Sequence, residues 1–526
     1  MVSILISDPL DASGVERLRA SGAHVHLMTP EEKPRLKEML PEYDALVVRS
    51  GTKVTADVLA EGKKLRVVGR AGIGVDNVDV EAATERGILV VNAPTANMMS
   101  ATEHTFALLL ALARKVPPAD ASMKSGTWDR KSFVGTELQG KTLGVVGFGR
   151  IGQRVARRAR AFEMKVLAYD PYLDEAVARR EEVEALPLEE LLKRSDVVTL
   201  HTPLTPQTRN LLNAERLRQM KRGAMLINCG RGGTVDETAL LELLEEGYLA
   251  GAGLDVYSNE PVTDFTLARH PNVVATPHIG AQTREAQLRI ASDTAEMVLK
   301  ALDGSLAITA VNLPFRSAGT RGELLLGLGQ QLGKLGSFLL GGKVQQVKVV
   351  FWDIDEKLHH PLGVAALKGV LTPSMAEGVN YVNAEHAAAA RGIKLQRVIN
   401  QRHEEYTHLL GVRVEGPDGS VDIQGTVFGE RDARVVYFRG LRLEFRPEGQ
   451  LLVLRNHDVP GVVGKLGTFL GEAGVNIADI HLAREPGQYA VAALRLDGVV
   501  SQELGDNLQA AMPEVLEAKV VDLGTP

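Results

Sequence analysis

The chain has 526 residues, 44% of them hydrophobic and 24% charged, with 60 Lys plus Arg against 66 Asp plus Glu for a formal net charge of −6. At ~100–200 residues per domain this predicts three or four globular domains. It excludes bulk disorder, and it lacks the excess of positive charge that nonspecific nucleic-acid binding needs. The single cysteine, Cys229, excludes an intrachain disulfide framework and a cysteine-rich metal cluster, and it points to a reducing cytoplasm.

Met1 leads into a short apolar run, Ile4–Ile6, closed by Asp8-Pro9, so no targeting segment is expected. Up to residue 97, the apolar runs Ile4–Ile6, Val25–Leu27, Ala45–Val48, Val67–Val68 and Leu89–Val91 predict buried strands. Amphipathic stretches such as Val15–Ala20 and Ala56–Glu61 predict helices between them, and the alternation implies a parallel sheet covered on both faces. Met99–Arg114 reads as one apolar helix that stops before Pro117-Pro118.

A second alternating region follows, with strands expected at Thr142–Val146, Lys165–Tyr169, Val197–Leu200, Ala224–Asn228, Gly251–Asp255 and Val273–Ala275. Six strands with intervening helices match a doubly wound nucleotide-binding sheet. Thr283–Leu302 reads as a helix returning the chain to the first sheet. After Pro314 the texture changes: β-type runs are expected at Val344–Phe351, Leu409–Val414 and Arg434–Phe445, with two helical stretches. The segment 324–340 carries Gln330, Gln331, Lys334 and several glycines, which suits a core helix better than a membrane span. Residues 450–526 follow a βαββαβ order, the ferredoxin-like pattern.

Gly147-Phe148-Gly149-Arg150-Ile151-Gly152 fits G-x-G-x-x-G between a strand and a helix, and Asp170 closes the next strand. The glycines admit a pyrophosphate to the helix N-terminus, and the acidic residue accepts from both ribose hydroxyls and repels a 2′-phosphate, which favours NAD over NADP. Arg231, Asp255, Glu260 and His278 all follow later strands of this sheet, at the ends that face a ligand crevice. A histidine can take a hydroxyl proton near neutral pH, a carboxylate can orient it, and an arginine can clamp a substrate carboxylate. Cys229 is read as lining this pocket, without an activating partner for a nucleophile. No spaced ligand set supports a metal.

These motifs, together with Asn228–Gly233, Leu254-Asp255-Val256, Thr276–Gly280, Arg49–Thr55 and Gly69–Asn77, resemble the D-isomer-specific 2-hydroxyacid dehydrogenases, and within them the branch acting on 3-phosphoglycerate. The resemblance implies NAD-dependent oxidation of 3-phospho-D-glycerate to 3-phosphohydroxypyruvate, the entry to L-serine synthesis. It implies catalysis by Arg231, Glu260 and His278. Gly147, Gly149, Arg150, Ile151, Gly152, Asp170, Thr202, Cys229, Gly230, Arg231, Asp255, His278, Ile279, Gly280 and Ala281 would border NAD. Arg49, Ser50, Arg70, Asn97, Arg231 and His278 would hold substrate. Ile73 departs from the family, many of whose members have a threonine there.

Asn456-His457-Asp458 and Asn476 resemble the effector site of ACT domains, which implies amino-acid binding, with L-serine expected, by Asn456, Asp458 and Asn476. The fold implied is α/β: a Rossmann-type NAD domain (98–282) inserted in a flavodoxin-like substrate domain (1–97 and 283–314). An α+β intervening domain (315–449) and a ferredoxin-like ACT domain (450–526) follow. A cytoplasmic homodimer or homotetramer without nucleic-acid or membrane partners is expected. The alternatives are another D-2-hydroxyacid dehydrogenase or hydroxypyruvate reductase, and a corepressor-like NAD-sensing protein.

Overall fold

The computed structural model describes residues 1–304, 310–315, 319–375, 378–400, 402–429, 431–485 and 488–524. The chain divides into two compact units, residues 1–54, 69–78 and 91–299 in one and residues 55–68, 79–90 and 300–526 in the other. Among the described residues, no helix is long and apolar enough to cross a membrane.

Strands β1 (Ser3–Ile6), β2 (His24–Leu27), β3 (Ala45–Val48), β4 (Val67–Arg70) and β5 (Leu89–Asn92) form a sheet of order β2-β1-β3-β4-β5. β1 pairs parallel with both β2 and β3. Ile4, Leu5, Leu46 and Val47 are buried, as continuous apolar strands covered on both faces must be. The helix Arg284–Leu302 returns to this region as expected. A Cβ at Gly14 would lie 2.8 Å from Ala291 Cβ and one at Gly69 2.5 Å from Val298 Cγ2, so these glycines let the helix approach.

The second sheet contains β6 (Thr142–Val146), β7 (Lys165–Tyr169), β8 (Glu184–Ala185), β9 (Val197–Leu200), β10 (Met225–Asn228), β11 (Gly251–Leu254) and β12 (Val273–Ala275). Its order is β12-β11-β10-β9-β6-β7-β8, with parallel pairing throughout. The sequence predicts six strands here. The seventh, β8, is two exposed residues long and has no apolar run to announce it. Strand order reverses between β6 and β9, which places a ligand crevice at their carboxyl ends. The helix Met98–Ala113 stops where expected, but Pro117 and Pro118 open a further helix, Val116–Lys124, where missing N–H groups cost little.

In the second unit, β13 (Gln346–Trp352), β14 (Lys394–Asn400), β15 (Leu409–Gly416), β16 (Gly419–Phe428), β17 (Asp432–Phe438) and β18 (Leu441–Phe445) form a sheet of order β14-β13-β15-β16-β17-β18. The expected run Arg434–Phe445 is a hairpin. It turns at Arg439-Gly440, with φ of 50° and 82°, the left-handed pair that tight hairpins need. The helices Gly319–Leu340 and Glu356–Met375 bury Leu328, Leu332, Leu335, Leu362 and Leu367 in the core on this sheet.

Strands β19 (Gln450–His457), β20 (Ile477–Glu485), β21 (Tyr489–Leu496) and β22 (Val515–Asp522) form an antiparallel sheet of order β20-β21-β19-β22. With helices Val462–Glu472 and Gln502–Ala511 it has the βαββαβ order read from sequence. Leu451, Val453, Val491 and Val521 join the core of the six-stranded sheet, while Leu452, Leu454 and Leu494 face the two helices.

Candidate active site

β6 runs into Gly147 at φ +90°, where a Cβ would sit 2.7 Å from the His201 carbonyl. A Cβ at Gly152 would strike the Gly147 carbonyl oxygen. These two glycines therefore permit the turn itself. Gly149 differs: a Cβ there would meet nothing within 4 Å, and the residue caps the helix Arg150–Ala161 without a side-chain bond. The free N–H groups at that helix end suit a pyrophosphate, and the open space above Gly149 admits one.

Asp170 accepts hydrogen bonds from the N–H groups of Phe148 and Tyr172, both at 2.9 Å, and so braces the glycine loop as well as ending β7. Thr202 follows β9, and its Oγ1 is buried without a partner among the described residues, an orphan that a bound ligand would satisfy. Arg150 is exposed and Ile151 half-buried beside the loop. Cys229 and Gly230 follow β10. Burial pushes the Cys229 thiol up to about 12, which leaves a neutral side chain and no thiolate nucleophile.

His278 Nδ1 lies 2.6 Å from Glu260 Oε2, and Glu260 Oε1 accepts the Tyr257 N–H at 3.0 Å. Burial raises the Glu260 carboxyl, but the bonds from His278 and Tyr257 outweigh it and hold the group below its ordinary value. An ionised carboxylate only accepts, so Nδ1 carries the proton and Nε2 is left as the basic nitrogen. Arg231 belongs to the loop after β10. A Cβ at Gly232 would strike the Tyr257 carbonyl oxygen, so the Arg231 loop lies directly on the Tyr257–Glu260 loop. Its Nη1 donates to the Gly230 carbonyl at 2.8 Å and its Nε to Asp76 Oδ2 at 3.1 Å.

Asp255 lies underneath. It is 1% exposed, and its two oxygens accept from the N–H groups of Ile279 and Gly280 at 2.8 Å each and from Thr276 Oγ1 at 2.6 Å. His104 Nε2 lies 3.2 Å from Asp255 and 2.9 Å from Thr276 Oγ1. Burial would raise the Asp255 carboxyl, yet these bonds keep it lowered. The turn that holds His278 at a left-handed φ of 53° is thus pinned from below, with Ser100 Oγ also donating to the Gly280 carbonyl at 2.6 Å. Ala281 continues the turn, its carbonyl accepting from Gln287 at 2.8 Å.

Arg49 follows β3 and Arg70 ends β4. The Arg70 guanidinium is brought down to about 10 by burial first and then by the charges of Arg231 and Arg49, against the pull of Asp76. Three guanidiniums thus act on one region, a field that calls for an anion. Ser50 is exposed beside Arg49, and Asn97 carries a second orphaned buried oxygen, Oδ1. Sequence reasoning missed Asp76, Asn77 and His104. Nothing local marks His104, one of several polar residues in the first half of its helix, because its partners lie 151 and 172 positions away.

The expected effector residues are already engaged. Asp458 pairs with Arg484 through two bonds of 2.8 and 2.9 Å, and Asn476 donates to Asp497 at 2.6 Å. Asn456 is 3% exposed and donates to the His457 carbonyl at 2.8 Å.

Residues 106–280 match the protein family described as D-isomer specific 2-hydroxyacid dehydrogenase, NAD binding domain, which is the class that the glycine loop and the Arg231, Glu260 and His278 arrangement define. Residues 324–439 match the D-3-phosphoglycerate dehydrogenase intervening domain. The chain is 41% identical to the D-3-phosphoglycerate dehydrogenase of Methanocaldococcus jannaschii, over 99% of this chain and 100% of that one. It is 42% identical to that of Mycobacterium tuberculosis, over 99% of each. Among solved structures, a protein of Thermus thermophilus is 40% identical with a TM-score of 0.55, covering 59% of this chain and 100% of its own. The D-lactate dehydrogenase of Aquifex aeolicus, complexed with NAD and lactic acid, is 30% identical with a TM-score of 0.52, covering 57% of this chain and 96% of its own. The chain belongs to the D-3-phosphoglycerate dehydrogenase family.

Proposed function

We propose that the protein oxidises 3-phospho-D-glycerate to 3-phosphohydroxypyruvate with NAD, the first step of L-serine biosynthesis. The observation that carries this reading is a Glu260–His278 pair at 2.6 Å whose loop packs on the Arg231 loop, together with an Arg70 guanidinium that feels the charges of both Arg231 and Arg49. NAD, when bound, accepts the C2 hydride at its nicotinamide ring. Gly147, Gly149, Arg150, Ile151 and Gly152 take its pyrophosphate and Asp170 its ribose hydroxyls. Thr202, Cys229, Gly230, Arg231, His278, Ile279, Gly280 and Ala281 border the nicotinamide half, and Asp255 acts from beneath that turn.

His278 Nε2 receives the C2 hydroxyl proton, and Glu260 stabilises the imidazolium that results. Arg231 grips the substrate carboxylate and polarises C2. Arg49, Arg70, Ser50 and Asn97 hold the phosphate end, where planar guanidinium groups bind through paired charge-assisted hydrogen bonds. Steady-state turnover with purified protein tests this. 3-Phosphoglycerate should be oxidised far more efficiently than D-glycerate, and NAD used far better than NADP. Equal efficiency on the two acids would overturn the phosphate reading. Asp170→Ala should narrow the NAD preference, while also costing overall cofactor affinity because Asp170 braces Phe148.

The same reading divides the chain into a substrate domain (1–97, 283–314), an NAD domain (98–282), an intervening domain (315–449) and a serine-sensing ACT domain (450–526) using Asn456, Asp458 and Asn476. A cytoplasmic homodimer or homotetramer fits it. The exposed Val116, Met123, Trp128 and Val134 supply apolar surface of the kind a second copy covers.

A further inference from the structure

Asn77 is the residue on which both phosphate-end arginine loops converge. Its amide nitrogen donates to the Arg49 carbonyl at 2.7 Å and to the Thr52 carbonyl at 2.6 Å. One side chain thereby spans the loop 49–52 from end to end. Its Oδ1 accepts from Arg70 Nε at 3.4 Å. The backbone adds a further tie, with the Val54 N–H donating to the Asn77 carbonyl at 2.8 Å.

From the opposite side, buried Asp8 accepts the Arg49 N–H at 2.8 Å and Lys33 Nζ at 2.7 Å, so the Arg49 backbone is held on two flanks. The job at position 77 needs an amide. Two donors must reach two carbonyls while an acceptor faces a guanidinium, and among short side chains only Asn offers both. Aspartate would lose the donors and set a negative charge beside Arg70. Serine is too short to bridge both carbonyls.

We propose that Asn77 is a positioning residue that fixes the spacing of the Arg49 and Arg70 guanidiniums, and so sets the preference for a phosphorylated over an unphosphorylated 2-hydroxy acid. This rests on the reading that those arginines hold the phosphate. Paired charge-assisted bonds to phosphate need both guanidiniums in register, and a displacement on the scale of an ångström is enough to lose them. The bonds of Asn77 go to Arg49, Thr52, Val54 and Arg70, so on this reading its removal acts on substrate affinity at the phosphate end and leaves the chemical step alone.

The test compares Asn77→Ala, Asn77→Ser and Asn77→Asp with the unmodified enzyme, using 3-phosphoglycerate and D-glycerate at saturating NAD, with Arg49→Ala and Arg70→Ala in parallel. Asn77→Ala and Asn77→Ser should raise KM for 3-phosphoglycerate about tenfold, the scale of a lost hydrogen bond or two. The kcat should stay within about twofold, with KM for D-glycerate and NAD affinity by fluorescence titration unchanged. Asn77→Asp should be at least as impaired on the phosphorylated substrate. If any variant fails to fold, as read by its melting temperature, the remaining two decide. Equal losses on both acids, or no change on 3-phosphoglycerate, overturn the proposal. If the arginine variants also lose both substrates equally, the phosphate reading itself falls; if they are phosphate-selective and the Asn77 variants are not, only the role of Asn77 falls.

Discussion

The contact of 2.6 Å between Glu260 and His278 sets the proton chemistry of the site, because a carboxylate held ionised by its bonds accepts the Nδ1 proton in a hydrogen bond and leaves Nε2 free to receive another. His278→Ala should lower kcat by ~10²–10⁴-fold, the usual worth of a general base, while NAD affinity by fluorescence titration persists. Glu260→Gln should lower kcat with NAD affinity retained, because Nδ1 loses its ionised acceptor; a kcat at the unmodified level would separate Glu260 from the proton transfer. Asp76 makes the opposite kind of contribution. Its carboxylate lies on Arg231 at 3.1 Å, the group proposed to take the substrate carboxylate, and the two anions compete. An exposed pair of this kind is worth ~0.2–1 kcal/mol. Asp76→Asn should therefore lower KM for 3-phosphoglycerate, up to about fivefold, with kcat nearly unchanged; a raised KM would mean that Asp76 holds Arg231 in place instead.

At the scale of elements, the glycines of the β6–helix turn separate folding from binding. Gly147 is required by its φ of +90° and by the His201 carbonyl, so Gly147→Ala should lower the melting temperature with or without cofactor. At Gly149 the φ of −75° is open to any residue and a Cβ meets nothing within 4 Å. Gly149→Ala should leave the melting temperature within about a degree, since nothing in the protein is displaced. It should weaken NAD binding at least tenfold by filling the space the pyrophosphate needs. A Gly149→Ala enzyme with normal NAD affinity would remove that residue from the cofactor site. This turn was readable from sequence because strand, motif and helix stand side by side, and the buried strands of the two parallel sheets were readable because burial on both faces writes them as apolar runs. β14 was not readable: Lys394, Gln396, Arg397 and Asn400 are exposed and leave no alternation to find. β16 does carry a period of two in Val421, Ile423 and Val427, interrupted by Gly425, whose Cβ would lie 2.7 Å from the Arg434 carbonyl. The catalytic side chains were legible for the same reason as the turn, each standing just after a strand. The groups that bond to the site from other parts of the chain, His104, Asp76 and Asn77, were hidden because their partners lie far away in sequence or on other loops.

For the whole molecule, the question is how the four-stranded unit could govern a reaction carried out elsewhere in the chain. Leu451, Val453, Val491 and Val521 lie in one core with Leu335 and Phe351, so deleting residues 450–526 would strip an apolar face and report on folding before regulation. Point substitutions are the cleaner probe. Asp458 and Arg484 form a half-exposed bidentate pair, and an amino acid carries both complementary charges: its ammonium suits Asp458 and its carboxylate suits Arg484. Insertion of a zwitterion into this pair exchanges one set of charge-assisted bonds for two, without leaving either charge alone. Asn476, now bonded to Asp497, would turn to the ligand. Binding alone inhibits nothing; L-serine must favour the less active arrangement of the molecule, and a preference of ~1–3 kcal/mol is typical of such coupling. L-Serine should therefore inhibit turnover of 3-phosphoglycerate, and Asn476→Ala or Asp458→Asn should abolish the inhibition while leaving kcat and KM without serine unchanged. Isothermal titration calorimetry supplies the independent reading. Heat of serine binding that survives in Asp458→Asn would place the effector elsewhere, and no heat with the unmodified protein, alongside full activity at high serine, would leave the Asp458–Arg484 pair as a structural bridge between β19 and β20.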